Sequence, residues 1–304
     1  DVYKRQVFSA CIKPDDTRYL GGNKSSSIVA IKLQGRPRTG INYDKANEFC
    51  ANRGDWITMI DYLEYCALQA LCYIEYANFD NQATLNTNLT SDGFKQGGLG
   101  NGVTNLNWER WTAFNGNNPI VQTYWTAEHN IGNGSTNGDH YELGNYNADG
   151  SNLNTYPAVY RGILNFFGDI WTFIRDIVVI NKDKDYNAVY LLKKGVNHSD
   201  VTKDNVNEKC YLIGHQANTN DFITEFDFQR GVYFIPNKVG TNKKADYNWK
   251  IGNDGQDTNK AVRVLLLGGS ASSGSKAGSG HFNSVWVRSD SLAFVGFFTT
   301  VKLD

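Results

Sequence analysis

The sequence predicts an α+β fold of one large domain: two helices, a mostly antiparallel sheet and long loop-rich insertions. Three observations predict it. Two stretches between residues 41 and 77 repeat apolar side chains at helical spacing. Several runs rich in β-branched and aromatic residues end at Gly, Asn or Asp, as strands do. A chain of 304 residues is also long enough to bury a full core.

The elements follow in order. Residues 1–27 carry no sustained periodicity and read as an N-terminal arm, leaving 28–304 as the domain. The run IVAIKLQG at 28–35 is the first strand candidate, and 35–40 is a turn. INYDKANEFCANRG places Tyr43, Ala46, Phe49 and Cys50 on one helical stripe and stops at 52–54. After a short extended piece at 56–59, Asp61 and Glu64 have the spacing of a capping box. From Leu63 the apolar positions Cys66, Ala67, Ala70, Leu71 and Ile74 continue a second helix. Residues 78–157 form a first insertion, rich in Asn and Gly, with short strands expected near 108–114 and 122–127. Its Trp108, Trp111 and Trp125 read as core under a long loop, with a sugar-stacking surface as the alternative. Residues 162–183 read as two strands around a turn at 168–169, and 188–194 as a further strand. Residues 195–255 read as a second insertion with one periodic stretch near 221–229, and 261–303 closes the domain.

Composition excludes several classes. A formal net charge of −1 gives no field for nucleic acid or an anionic membrane, and no apolar run has the length of a bilayer span. The start lacks both Met and the charged-then-apolar pattern of a secretory signal, and reads as a fragment boundary. Asn is about one residue in nine, and 30 Gly stand against 5 Pro, so loops are closed by Gly and Asn. With 13% aromatic and only 20% charged residues, those loops are expected to pack onto something. Cys11, Cys50, Cys66, Cys72 and Cys210 form no CxxC pair and suggest no zinc site. They read as buried thiols, with one disulfide as the alternative.

The closing stretch is the most informative. An apolar run at 264–267 enters a Gly/Ser tract, after which Trp286, Arg288, Asp290, Leu292 and Phe294 alternate with Val287, Ser289, Ser291, Ala293 and Val295. In a strand each set would share one face. The second set suits a packed face. The first mixes aromatics, a cation and an anion, which suits contact with a ligand.

Three separated pieces carry a resemblance: FCANRGDWITMIDYLEYCALQALCY at 49–73, FFGDIWTFIRDI at 166–177, and the Gly-Gly-Ser opening and Val-Gly-Phe ending of 263–298. Together they resemble C-type-lectin-fold proteins of the formylglycine-generating-enzyme superfamily. The closing segment looks most like the variable region of diversity-generating retroelement proteins, which are phage tail-fibre tips or bacterial surface receptors. That resemblance implies a C-type-lectin-like fold and a non-catalytic protein. Its variable region would recognise a cell-surface protein or glycan from a virion or a bacterial surface, with a homotrimer as an option. Asn codons rewritten at their adenines could now hold Ser272, Ser273, His281, Asn283, Val285, Val287, Asp290, Leu292 and Phe294. Lys276 and Trp286 are not reachable in that way and border the patch, with Trp286 and Phe294 as anchors and Lys276 and Asp290 setting selectivity by charge. Gly268, Gly269, Gly274, Ala277, Gly278, Arg288, Ser289 and Gly296 look like framework.

The competing readings are a glycan-acting tail enzyme and an adhesin that binds through the Trp-rich insertion. His129, His140, His198, His215 and His281 sit in polar, loop-like contexts without a recognisable nucleophile, and no hydrolase, zincin or nucleotide motif occurs. Asp139, Glu142, Asp169 and Asp176 are the candidate acid–base carboxylates for glycan cleavage. No Cys follows Cys210, so the superfamily's cysteine-based oxidation is not expected. Residues 137–150 offer oxygen ligands for calcium but read better as a solvated loop, so neither metal nor cofactor is expected.

Overall fold

Both helices start where the sequence supplies a cap. The computed structural model describes residues 7–9, 40–81, 141–142, 154–155, 159–181, 186–228, 231–241, 246–250, 262–270 and 273–301, with gaps of one or two residues. Strand β1 (Val7–Ser9) precedes helix α1 (Tyr43–Ala51), where the Asn42 side chain accepts the Lys45 N–H at 2.9 Å. After β2 (Ile57–Met59) comes α2 (Tyr62–Tyr76), which carries the expected capping box between Asp61 and Glu64.

The buried face of α2 is turned by one position from the expected stripe. Tyr62, Tyr65, Cys66, Gln69, Cys72 and Tyr73 face inward, whereas Leu63 is 48% and Ile74 77% exposed. Tyrosine explains the shift. Its ring fills a core well provided the hydroxyl finds a partner, and Tyr62 donates to the Phe234 carbonyl at 2.7 Å while Tyr73 donates to Asp246 at 2.7 Å.

Two small hairpins follow: β3 (Tyr141–Glu142) with β4 (Asn154–Thr155), and β5 (Val159–Tyr160) with β6 (Ile163–Leu164). The remaining strands are β7 (Trp171–Asn181), β8 (Tyr186–Leu192), β9 (Cys210–Ala217), β10 (Asp221–Asp227), β11 (Ile235–Gly240), β12 (Tyr247–Trp249), β13 (Arg263–Leu267), β14 (Phe282–Asn283), β15 (Val295–Gly296) and β16 (Phe298–Val301). A four-residue helix, α3 (Val206–Lys209), leads into β9.

The main sheet runs β11-β10-β12-β14-β13-β7-β8-β9, with β15 added beside β7. Pairing is antiparallel except β12 with β14 and β15 with β7. Its end strands β11 and β9 approach each other, so the sheet curls. A separate antiparallel sheet, β1-β16-β2, ties the start of the described chain to its end. The fold is therefore α+β around a mostly antiparallel sheet. Among the described residues no helix is long and apolar enough to cross a membrane.

Strand β7 lies inside this sheet and reads as an almost continuous apolar run because both its faces are covered. Ile174, Ile177 and Val179 belong to the cluster under α2, and Trp171 and Phe173 to the cluster under α1. A register shift against β13 breaks the run at Arg175 and Asp176, which are half-buried. Asp176 accepts the Tyr62 N–H at 2.8 Å, and Arg175 meets Asp61 at 3.4 Å. Asp176, a candidate acid–base carboxylate under the competing enzyme reading, thus serves the start of α2.

Two expectations change. The turn at 168 does not join a hairpin, because β6 pairs with β5 rather than β7. Residues 195–255 are no loop-rich insertion, since β9, β10, β11 and β12 belong to the central sheet. Their polar composition hid them: alternate residues of short strands at the end of a sheet face solvent. Cys66, Cys72 and Cys210 are buried thiols as expected, and burial pushes the first two up to about 12 and the third to about 11; Cys50 is buried as well. Strands expected at 28–35, 108–114 and 122–127 lie outside the described residues, as do Cys11, Trp56, Trp108, Trp111, Trp125, His129, Asp139, His140 and Asp169.

Candidate functional site

The closing stretch begins in the middle of the sheet. Strand β13 lies between β14 and β7, and Val264 to Leu267 are fully buried. Gly268 and Gly269 then turn the chain with φ of +93° and +75°, values that favour glycine. The Ser270 N–H meets Ser273 Oγ at 3.0 Å, and the Ser273 N–H returns to the Ser270 carbonyl at 2.9 Å. Lys276 is exposed, with its ammonium 4.4 Å from the centre of the Tyr247 ring.

Residues 277–280 of the tract are buried, and Asp246 explains their composition. Its Oδ2 accepts the Gly280 N–H at 2.5 Å and the Tyr73 hydroxyl at 2.7 Å, while Gln69 donates to that hydroxyl at 2.7 Å. A methyl group at position 278 or 280 would overlap the Asp246 carboxyl. The two glycines form the hollow that the carboxyl fills. Asn81 holds the residue between them, accepting the Ser279 N–H at 2.8 Å and its hydroxyl at 2.5 Å.

His281 and Asn283, expected among variable surface contacts, are instead buried at 0% and 1% exposure. The His281 ring packs edge-on against Trp171 at 4.4 Å and lies 5.7 Å from Tyr247. Burial pushes its pKa down to about 3, with Lys276 adding to the shift, so the ring is neutral. Both nitrogens lack a hydrogen-bond partner among the described residues. Asn283 accepts the Val285 N–H at 2.9 Å. Both are buried because β14, Phe282–Asn283, passes between β13 and β12 inside the main sheet.

Residues 285–294 are not the alternating strand that their pattern predicts. They form an irregular loop with single bridges at Val287 to Arg263 and Leu292 to Ile41. A turn over 287–290 accounts for the charged pair. Asp290 Oδ2 accepts the Val287 N–H at 2.8 Å, and the Asp290 N–H returns to the Val287 carbonyl at 3.0 Å. Arg288 reaches Asp44 of α1 at 3.0 Å. Polar groups in this turn hold the loop, so the mixed set does not share one face.

The loop is fastened largely through its carbonyl oxygens. Trp286 O accepts the Val264 N–H at 3.0 Å, Arg288 O the Tyr43 N–H at 3.1 Å, and Phe294 O the Trp171 N–H at 2.9 Å. Leu292 O accepts from Gly40 at 3.0 Å and from Val295 at 3.2 Å. Val285 O accepts the Arg263 guanidinium at 2.7 Å. Val285, Trp286, Val287, Leu292 and Phe294 are all half-buried. Trp286, Leu292 and Phe294 rest on the cluster under α1, and the Trp286 and Phe294 rings meet edge-on at 6.4 Å.

The structure thus gathers Val285, Trp286, Val287, Leu292 and Phe294 on one loop, leaves Ser273 and Lys276 on the neighbouring tract, and withdraws His281 and Asn283. Ser272 lies outside the described residues. Sequence reasoning missed Asp246, Tyr73, Gln69 and Asn81, although the Gly-Ser-Gly at 278–280 marks a close approach that glycine alone permits. His198 and His215 are not in loops of the kind expected. His198 is buried, lies 3.3 Å from the Arg263 carbonyl, and is pushed down to about 4 by burial, while His215 lies on β9 with its ring against Tyr186. Among the described residues no group of three or more His, Cys, Asp or Glu is placed to hold a metal ion. Compared with known proteins, the chain matches no family model and no curated protein.

Proposed function

We propose that this chain is a non-catalytic recognition protein with a C-type-lectin-like fold, which presents a diversified surface to a bacterial cell-surface protein or glycan. The observation that carries this reading is the fastening of 285–294 through backbone carbonyls. Main-chain anchors do not depend on side-chain identity, so side chains at 285, 286, 287, 292 and 294 can be exchanged while the loop keeps its path. Asp290 is the exception, and asparagine carries the same acceptor oxygen for the Val287 N–H. Support for the fold comes from the pairing of β1 with β16 and from two capped helices that precede the main sheet. The contact set becomes Ser273, Lys276, Val285, Trp286, Val287, Leu292 and Phe294, with His281, Asn283 and the turn residue Asp290 reassigned to the scaffold.

Half-buried aromatics suit this role. They offer large contact area and keep their orientation by resting on the core. The location proposed is a phage tail-fibre tip or a bacterial surface, where a homotrimer would multiply weak contacts.

The test uses fluorescently labelled chain on a panel of intact bacterial cells and on an immobilised glycan array. Binding to at least one cell type or glycan is expected. The combined Trp286→Ala, Leu292→Ala and Phe294→Ala variant should bind at least about thirty-fold more weakly, since one anchor contributes about 2 kcal/mol or more. Equal binding by a folded triple variant would refute the patch. Turnover of a bound glycan would refute the non-catalytic reading.

A further inference from the structure

The latch beneath the recognition surface is a buried acid that forms no ion pair among the described residues. Asp246 is 4% exposed, and among the described residues its side chain meets Tyr73 and Gly280 by hydrogen bond. Helix α2 faces it with Gln69, Tyr73, Tyr65 and Cys72, all uncharged at neutral pH. The chain beyond α2 brings Asp80, another acid, and Asn81. The 276–281 segment brings Gly278, Ser279, Gly280 and the neutral His281. Its one cation, Lys276, lies over the Tyr247 ring. Strand β10 contributes a backbone contact from Ile223 to the Asp246 carbonyl at 2.6 Å. An ionised Asp246 would be a buried negative charge facing a second carboxylate.

We propose that Asp246 is a pH-sensitive latch for residues 276–281, closed over the sheet in acid and loosened as the carboxyl ionises. The functional part rests on the recognition reading above, because this segment presents Lys276 and leads through β14 into the 285–294 loop. Burial raises the Asp246 carboxyl from 3.8 to about 7, with Asp80 adding to the rise and the bonds from Tyr73 and Gly280 opposing it. The sign follows. The closed segment holds a proton that the open one, with an ordinary carboxyl, has lost. Rising pH between about 4 and about 7 therefore favours opening, and above about 7 the preference levels off.

Hydrogen–deuterium exchange of residues 273–284, corrected for intrinsic rates, measures the latch without any ligand. Protection should fall about ten- to fifty-fold between pH 5 and pH 7. Asp246→Asn keeps an acceptor for Tyr73 and Gly280 but cannot ionise, so its profile should be flat. Asp176→Asn removes the other carboxyl raised to about 7 among the described residues and should leave the slope at 273–284 intact. A slope that survives in Asp246→Asn, or protection that rises with pH in the wild type, would overturn the proposal. Should Asp246→Asn not fold, infrared titration of Asp176→Asn, which keeps Asp246 as its carboxyl raised to about 7 among the described residues, replaces it. A buried carboxylic acid band disappearing near pH 7 supports the latch, and no carboxyl titrating above the ordinary range overturns it. Binding is read separately on the same cell panel. Loss of protection without loss of binding would leave the latch standing and remove Lys276 from the recognition surface.

Discussion

Replacing Gly278 with alanine places a methyl group on the Asp246 carboxyl, and the three atoms nearest to that methyl all belong to Asp246. The carboxyl must then leave its hollow. That leaves the Gly280 N–H and the Tyr73 hydroxyl without their acceptor. An unsatisfied buried donor costs about 1–3 kcal/mol, and overpacking costs a similar amount. Gly278→Ala should therefore destabilise by about 3 kcal/mol or more. In an Asp246→Ala background the obstructing atoms are gone, and the same substitution should cost less than about 1 kcal/mol, a coupling of about 2 kcal/mol. Gly280→Ala provides the contrast. Its methyl would also meet the Tyr73 hydroxyl at 2.7 Å and Gln69 Nε2 at 2.8 Å, so removing Asp246 should rescue it only in part. Urea unfolding midpoints of the four variants in each cycle give these values. Equal cost of Gly278→Ala in both backgrounds would refute the account of the tract.

Other outcomes follow from the same contacts. His198 is held neutral by burial with a pKa near 4, below its ordinary value of 6.5, so the stability it contributes is present above 6.5 and lost as pH falls toward about 4. His198→Gln should therefore lose less stability than the wild type over that interval, by up to about 3 kcal/mol in urea titrations. Asp61→Ala removes the cap of α2 and should cost about 1 kcal/mol by thermal melt, with reduced helical circular dichroism. Arg288→Ala breaks a largely exposed ion pair with Asp44 and should cost less than about 1 kcal/mol, while the loop keeps its Tyr43 N–H to Arg288 carbonyl bond.

Local chemistry was legible in the sequence. Asp61 and Glu64 mark the start of α2, apolar runs mark β7, β8 and β13, and Cys66, Cys72 and Cys210 are the buried thiols expected without a CxxC pair. Long-range pairing was not. Nothing local tells that β6 turns back onto β5, or that Asp221–Asp227 and Tyr247–Trp249 complete the central sheet rather than decorate it. The face of α2 was misjudged because tyrosine counts as polar until its hydroxyl has a partner. The closing loop was misjudged for a related reason. Period-two alternation from Trp286 to Val295 is also compatible with turns at 287–290 and 292–295, which the Val287 N–H to Asp290 carboxyl bond and the Val295 N–H to Leu292 carbonyl bond mark in the structure. His281 stands among the positions that rewritten Asn codons could reach, yet as a neutral imidazole it packs as a buried aromatic ring against Trp171.

The separation of a constant scaffold from replaceable side chains is tested most directly by a library. Positions 285, 287, 292 and 294 would be randomised together, displayed on phage, and selected both for protease resistance and for binding to an immobilised soluble protein such as streptavidin. The account predicts that a large share of the library resists protease like the parent and that binders emerge whose affinity depends on the new side chains. A library that is protease-sensitive almost throughout, or one that folds but yields no binder, would contradict it.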